Sequence, residues 1–179
     1  MLTVTIPEKE MFDEAENAFI LLPKTELHLE HSLISLSKWE SKWKKPFLSK
    51  EDHTKEEIFD YIYFMSIDRN PDMMVIQSMP YEKYKEILEY IGDPQTATKI
   101  YDRRPNRGGK AEIYTAEVLY YYMIYYGIPW AAEKWHLNRL MTLIRVCGIK
   151  GGTTNQSMDM NAIFAQNRQL NAARRKAPR

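Results

Sequence analysis

The residues here whose types could do chemistry crowd into KWHLNRLMTLIRVC, residues 134–147, which carries His136, Arg139, Arg145 and the chain's one cysteine, Cys147. A histidine and a cysteine suggest a base and a thiol nucleophile. On one helix, however, a rise of about 1.5 Å per residue sets His136 and Cys147 about 16 Å apart, whereas a dyad needs about 3 Å. Cys147 is therefore expected as a small buried hydrophobe. His28 and His31 are three apart in a stretch that reads as extended, so they should point to opposite faces, with no thiol or tight acidic cluster to complete a metal site. The phosphate-binding patterns GxGxxG and GxxxxGK[ST] are absent, and the acids are scattered along helix faces. The expectation is a chain with no catalytic residue, no cofactor and no metal.

The elements that must position these groups follow from periodicity. LTVTI alternates like a half-buried strand, an acidic connection follows it, and FILLPKTELHLEHSL offers a second extended stretch. From Ser32 the spacing turns helical until Pro46. Thr54 and Glu57 form a capping box before Ile58, Ile62 and Met65, and Pro80 opens a helix striped by Tyr84, Ile87, Leu88 and Ile91 that ends at Gly92. DRRPNRGGK, residues 102–110, reads as an exposed loop. Thr115 caps a tyrosine-rich helix ended by Gly127, and Pro129 opens the next, running from Trp130 to Cys147 with Leu137, Leu140, Met141 and Ile144 turned inward. Gly148, Gly151 and Gly152 should stop it, and Ser157 caps a last helix with Ile163, Phe164 and Leu170 on one side. The fold class expected is α+β, mainly α-helical: a small N-terminal antiparallel sheet, then five or six packed helices, with residues 1–150 as one globular domain and 151–179 as a linker plus a basic C-terminal helix.

Three features point to contact with another macromolecule. SKWESKWKKPF interleaves Trp39, Trp43 and Phe47 with lysines including Lys44, a composition that stacks on bases or anchors a protein interface, unless the rings pack inward under the lysine stems. Six tyrosines between Tyr114 and Tyr126 cannot all share one buried helical face. The C-terminal NRQLNAARRKAPR, with Arg168, Arg174 and Arg175, is a basic end suited to phosphates, to an acidic partner or to solvent. His136, Arg139 and Arg145 lie beside or opposite the inward stripe and join the candidate partner-binding set.

Composition narrows the classes. A net charge of +1 from 25 basic and 24 acidic residues is not that of a general polyanion binder. A 44% hydrophobic, 27% charged chain of 179 residues is ordinary for a folded domain. One cysteine fits a reducing compartment, and neither a secretion signal nor an 18-residue apolar span is evident.

Four strings, SLISLSKWESKWKKPFL, YTAEVLYYYMIYYGIP, KWHLNRLMTLIRVC and NRQLNAARRK, resemble a family of small proteins encoded among the tail genes of tailed bacteriophages, known as tail assembly chaperones or tail morphogenesis proteins. The resemblance spans Ser32 to Lys176. It departs at GIKGGTTNQSMDM, where a more proline- and lysine-rich linker is expected. What it implies is a non-enzymatic role in the host cytoplasm, holding a phage tail protein such as the tape-measure protein soluble during assembly, with self-association as a further option. A structural virion subunit of the neck or baseplate is the alternative, and a nucleic-acid-binding module a third. The family offers no catalytic residue to carry over.

Overall fold

A computed structural model describes residues 1–13, 17–49, 51–100 and 113–151. Contacts divide the chain into two compact units, Met1–Cys147 and Gly148–Arg179. The loop expected at 102–110 and the linker and basic helix expected beyond Gly151 lie outside the described residues.

Alternating Leu2, Val4 and Ile6 make β1 (Leu2–Ile6), which pairs antiparallel with β4 (Thr25–Leu29), Leu2 opposite Leu29 and Ile6 opposite Thr25. The acidic connection is itself a strand. β2 (Lys9–Asp13) pairs with β3 (Ala18–Leu22), Lys9 opposite Leu22 and Asp13 opposite Ala18. Counting on from the first pair reaches the second in step, so the two pairs form one long hairpin in a single register. Pro7 and Pro23 stand at the gap, where a residue without an N–H interrupts the ladder.

Among the described residues six α-helices follow. Ser32 caps α1 (Leu33–Trp43) through a reciprocal box with Ser35, and Lys44 closes it in the left-handed region at φ 57°. α2 (Lys55–Met65) starts with the Thr54–Glu57 box read from the sequence. Thr54→Ala is expected to cost about 1 kcal/mol, the usual worth of such a cap, visible as a lower urea midpoint. The short α3 (Met73–Gln77), capped by Asp72, was not foreseen. α4 (Tyr81–Gly92) turns Ile87 inward but leaves Leu88 38% exposed, so its stripe is narrower than expected. α5 (Ala116–Tyr125) is capped by Thr115.

The helix expected from Trp130 to Cys147 is broken. Trp130–Lys134 form a 3-10 turn, and α6 starts only at Leu137, running through Gly148, expected as a stop, to Gly151. Tertiary pairing causes the break: His136 bridges to Ser32 in β fashion, and Leu137 N–H donates to His31 C=O at 2.6 Å. Leu137, Leu140 and Ile144 are buried as expected, whereas Met141 and Cys147 are only half-buried. The core joins these to Val4, Leu27, Leu29, Leu36, Ile62 and Leu119, which places the ribbon base, α1, α2, α5 and α6 around one apolar centre.

Candidate functional site

The Trp/Lys segment folds with its rings inward. Trp39 is wholly buried, donating Nε1–H to Glu57 C=O at 2.8 Å and meeting Phe47 and His53 edge-on. Phe47, 8% exposed, stacks on Tyr61 at 3.8 Å and on His53 at 4.7 Å. Trp39 and Phe47 therefore leave the candidate surface: helical spacing on α1 aims Trp39 at α2, and the turn after Pro46 folds Phe47 back onto Tyr61 of α2. Trp43 is half-buried and donates to Asp60 at 3.0 Å. Lys42 pairs with Asp60 and Lys45 with Glu57, and both lysines lie against the Trp43 ring. Lys45 holds the Glu57 carboxyl below its usual range. Charges matched this way neutralise much of the segment's positive field; Lys44 stays exposed.

Behind it Glu40 is buried, accepting from Phe47 N–H at 3.1 Å and Ala116 N–H at 2.7 Å, so one carboxylate ties the end of α1 to the start of α5. Burial raises its pKa, and the two N–H donors pull the other way. An open depression of about 430 Å³ beside it is lined by Ser37, Ser41, Lys44, Lys45, Thr115 and Glu117 as well. Glu40→Ala is expected to destabilise by at least about 1–3 kcal/mol, because it orphans the buried N–H groups of Phe47 and Ala116, and guanidinium unfolding measures that loss.

His136 is 6% exposed, contrary to the solvated or interface position expected, because it belongs to the break before α6 and not to a helix face. Its Nε2 donates to Tyr90 C=O at 3.0 Å, and its Nδ1 accepts the Asn138 N–H at 3.3 Å, so the ring caps α6 in its neutral form. Its ring meets those of His31 at 5.0 Å and Tyr90 at 4.8 Å. His31, 1% exposed, takes the Tyr61 hydroxyl on Nδ1 at 2.6 Å, with the hydroxyl donating to the neutral ring. Tyr90 donates in turn to Glu30 at 2.7 Å, and Glu30 pairs with the N-terminal ammonium. The cluster links the ribbon base to α2, α4 and α6. Each described imidazole here is spent on a structural bond.

Of the remaining candidates, Arg139 is exposed and stacks over Trp135 at 4.5 Å. Arg145 is also exposed, and Arg168, Arg174 and Arg175 lie outside the described residues. Trp130, 57% exposed, rests against Tyr120, whose hydroxyl donates to Glu133 and is pushed up to about 12 by burial and that carboxylate. On α5, Tyr121 and Ile124 face solvent while Leu119 and Met123 face the core. The tyrosines thus ring a helix too apolar to have a purely wet side. Arg139, Trp135, Trp130 and Tyr121 have the side-chain types that dominate protein interfaces.

A second apolar surface was missed. Phe12, Phe19 and Leu21 on the distal hairpin are 48%, 70% and 61% exposed. FILL was read as part of an extended stretch, but Met11 and Phe12 sit among acids that suggested a connection, so the strand opposite it and the exposed face they share were not foreseen. No family model, no curated protein and no solved structure matches the chain.

Proposed function

We propose that the chain is a non-enzymatic tail morphogenesis protein of a tailed bacteriophage, working in the host cytoplasm as a chaperone for a tail protein such as the tape-measure protein. The observation that carries it is the pairing of spent polar groups with unspent apolar ones. His31, His136, Glu40, Glu57 and Asp60 are engaged in structural bonds, while Phe12, Phe19, Tyr121, Ile124 and Trp130 face solvent. Exposed aromatic surface with adaptable side chains suits a protein that holds apolar client segments. Among the described residues no helix is long and apolar enough to cross a membrane. The lysines of the Trp/Lys segment face carboxylates, which counts against a nucleic-acid platform. Co-expression with the neighbouring tail genes tests the reading: the chain is expected to co-purify with the tape-measure protein and keep it soluble. Stoichiometric presence in purified mature particles, by mass spectrometry, would instead make it a virion subunit.

A further inference from the structure

The proximal and distal halves of the hairpin share one register, yet they bury opposite faces. Near the base, Val4, Ile6, Leu27 and Leu29 face the core at 0–2% exposure. Side chains alternate along a strand, so that same face runs on to Leu21, Phe19 and Phe12. There, among the described residues, Leu21 and Phe19 are mostly exposed and Phe12 about half exposed, and Phe12 and Phe19 meet across the ribbon, ring centroids 5.1 Å apart. The distal half is anchored by its other face, through buried Leu22, half-buried Ile20 and a bond from Lys9 Nζ to Ser78 C=O. A two-stranded ribbon is marginal by itself, and one carrying an apolar face into water is suited to a partner that covers it.

Charge selects the partner. Glu8 and Glu10 are exposed on that same face, Glu10 opposite Leu21, whereas Lys9 falls on the other face. Two such arms laid face to face would set like charges against each other, which disfavours a second copy of this chain. We propose that the distal hairpin is a docking arm for an amphipathic polypeptide segment of another protein, whose apolar side covers Phe12, Phe19 and Leu21 and whose flanking lysines or arginines meet the acids. This rests on the partner-binding reading above and names the chemistry of the client segment. Basic flanks answer the arm's charge and give the pairing its salt dependence, while the apolar contact gives it persistence.

Two labelled 18-residue helical peptides with the same leucine face test this, one with lysine and the other with glutamate on the polar side, titrated against the full chain by fluorescence anisotropy. The lysine peptide is expected to bind at least about tenfold tighter than the glutamate peptide, and more weakly in high salt. Phe12→Ser with Phe19→Ser should weaken it about tenfold or more with only a small fall in melting temperature, since Phe19 is largely and Phe12 about half exposed and their ring contact is all that the pair adds to the fold. Phe19→Thr, which keeps strand propensity, serves if the double variant unfolds. Glu10→Lys should narrow the preference between peptides. Equal binding of both peptides, no binding of either, or binding indifferent to the phenylalanine changes overturns the proposal. So does a dimer in sedimentation velocity that dissociates in the double variant, because the occupant is then a second copy. If the tape-measure protein co-purifies equally well with the double variant, the arm fails while the chaperone reading stands. If the lysine peptide binds through the arm but no tail protein co-purifies, the reverse holds.

Discussion

Trp39→Ala is expected to remove about 3–5 kcal/mol of folding stability, the range found when a large buried ring is truncated and its cavity cannot fully collapse. Three losses combine. The ring is wholly buried, so its entire apolar surface and its edge contacts with Phe47 and His53 disappear. The Glu57 carbonyl loses its indole donor. The stack Phe47–Tyr61 also loses its side support, although Tyr61 must still present its hydroxyl to His31. Since small domains hold only about 5–15 kcal/mol in total, the variant should unfold near ambient temperature or at much lower urea. Trp39→Phe should fall between, keeping a ring but not the N–H. Trp43→Ala, at a half-buried site, should cost clearly less. A partner-facing Trp39 would behave the other way, leaving the urea midpoint unchanged and weakening binding.

The contrast between these two tryptophans shows what the sequence could and could not carry. Periodicity placed α1, α2, α4 and α5 because their apolar spacing and caps are local: Thr54 with Glu57, Thr115 and Ser32 each satisfy N–H groups within a turn. The strand β2 and the break at His136 depend on partners far along the chain. Lys9–Asp13 is a strand only because Ala18–Leu22 lies opposite, and Leu137 starts a helix only because His31 takes its N–H. Within a helical pattern such as KWHLNRL nothing local marks that interruption, so His136 was assigned to a helix flank when it is a buried cap. The candidate surface was legible in part. Arg139 kept an exposed position, stacked over a Trp135 that had not been singled out, whereas Trp39 and Phe47 were drawn into the core by α2, whose carboxylates also took the lysines beside them.

The buried histidines make acid the second large lever. Burial, with His136 alongside, lowers His31 from 6.5 to about 3, and burial lowers His136 as well, against the pull of the Tyr90 carbonyl. The unfolded chain takes up these protons from about pH 6.5 downward, and the folded chain refuses the one on His31 until about pH 3. Stability is therefore complete above 6.5 and falls as pH drops through that window, by about 1.4 kcal/mol per pH unit for each such group. Between pH 7 and pH 5, His31 alone should remove about 2 kcal/mol, with His136 adding in the same direction. Protonated His136 would lose its Nδ1 acceptor and put a positive charge at the N-terminus of α6, where the helix dipole opposes it. Glu40, whose pKa burial raises, acts in the opposite sense and offsets part of the loss at the acid end. Glu57, and Asp68 whose carboxylate is held low by accepting the His28 N–H at 2.9 Å, add theirs only as pH falls through the carboxylate range. The urea midpoint should drop accordingly from pH 7 to pH 5, and His31→Asn should start lower and show a shallower slope. A midpoint that stays constant across that interval would mean that the His31–His136 contact opens to water in solution.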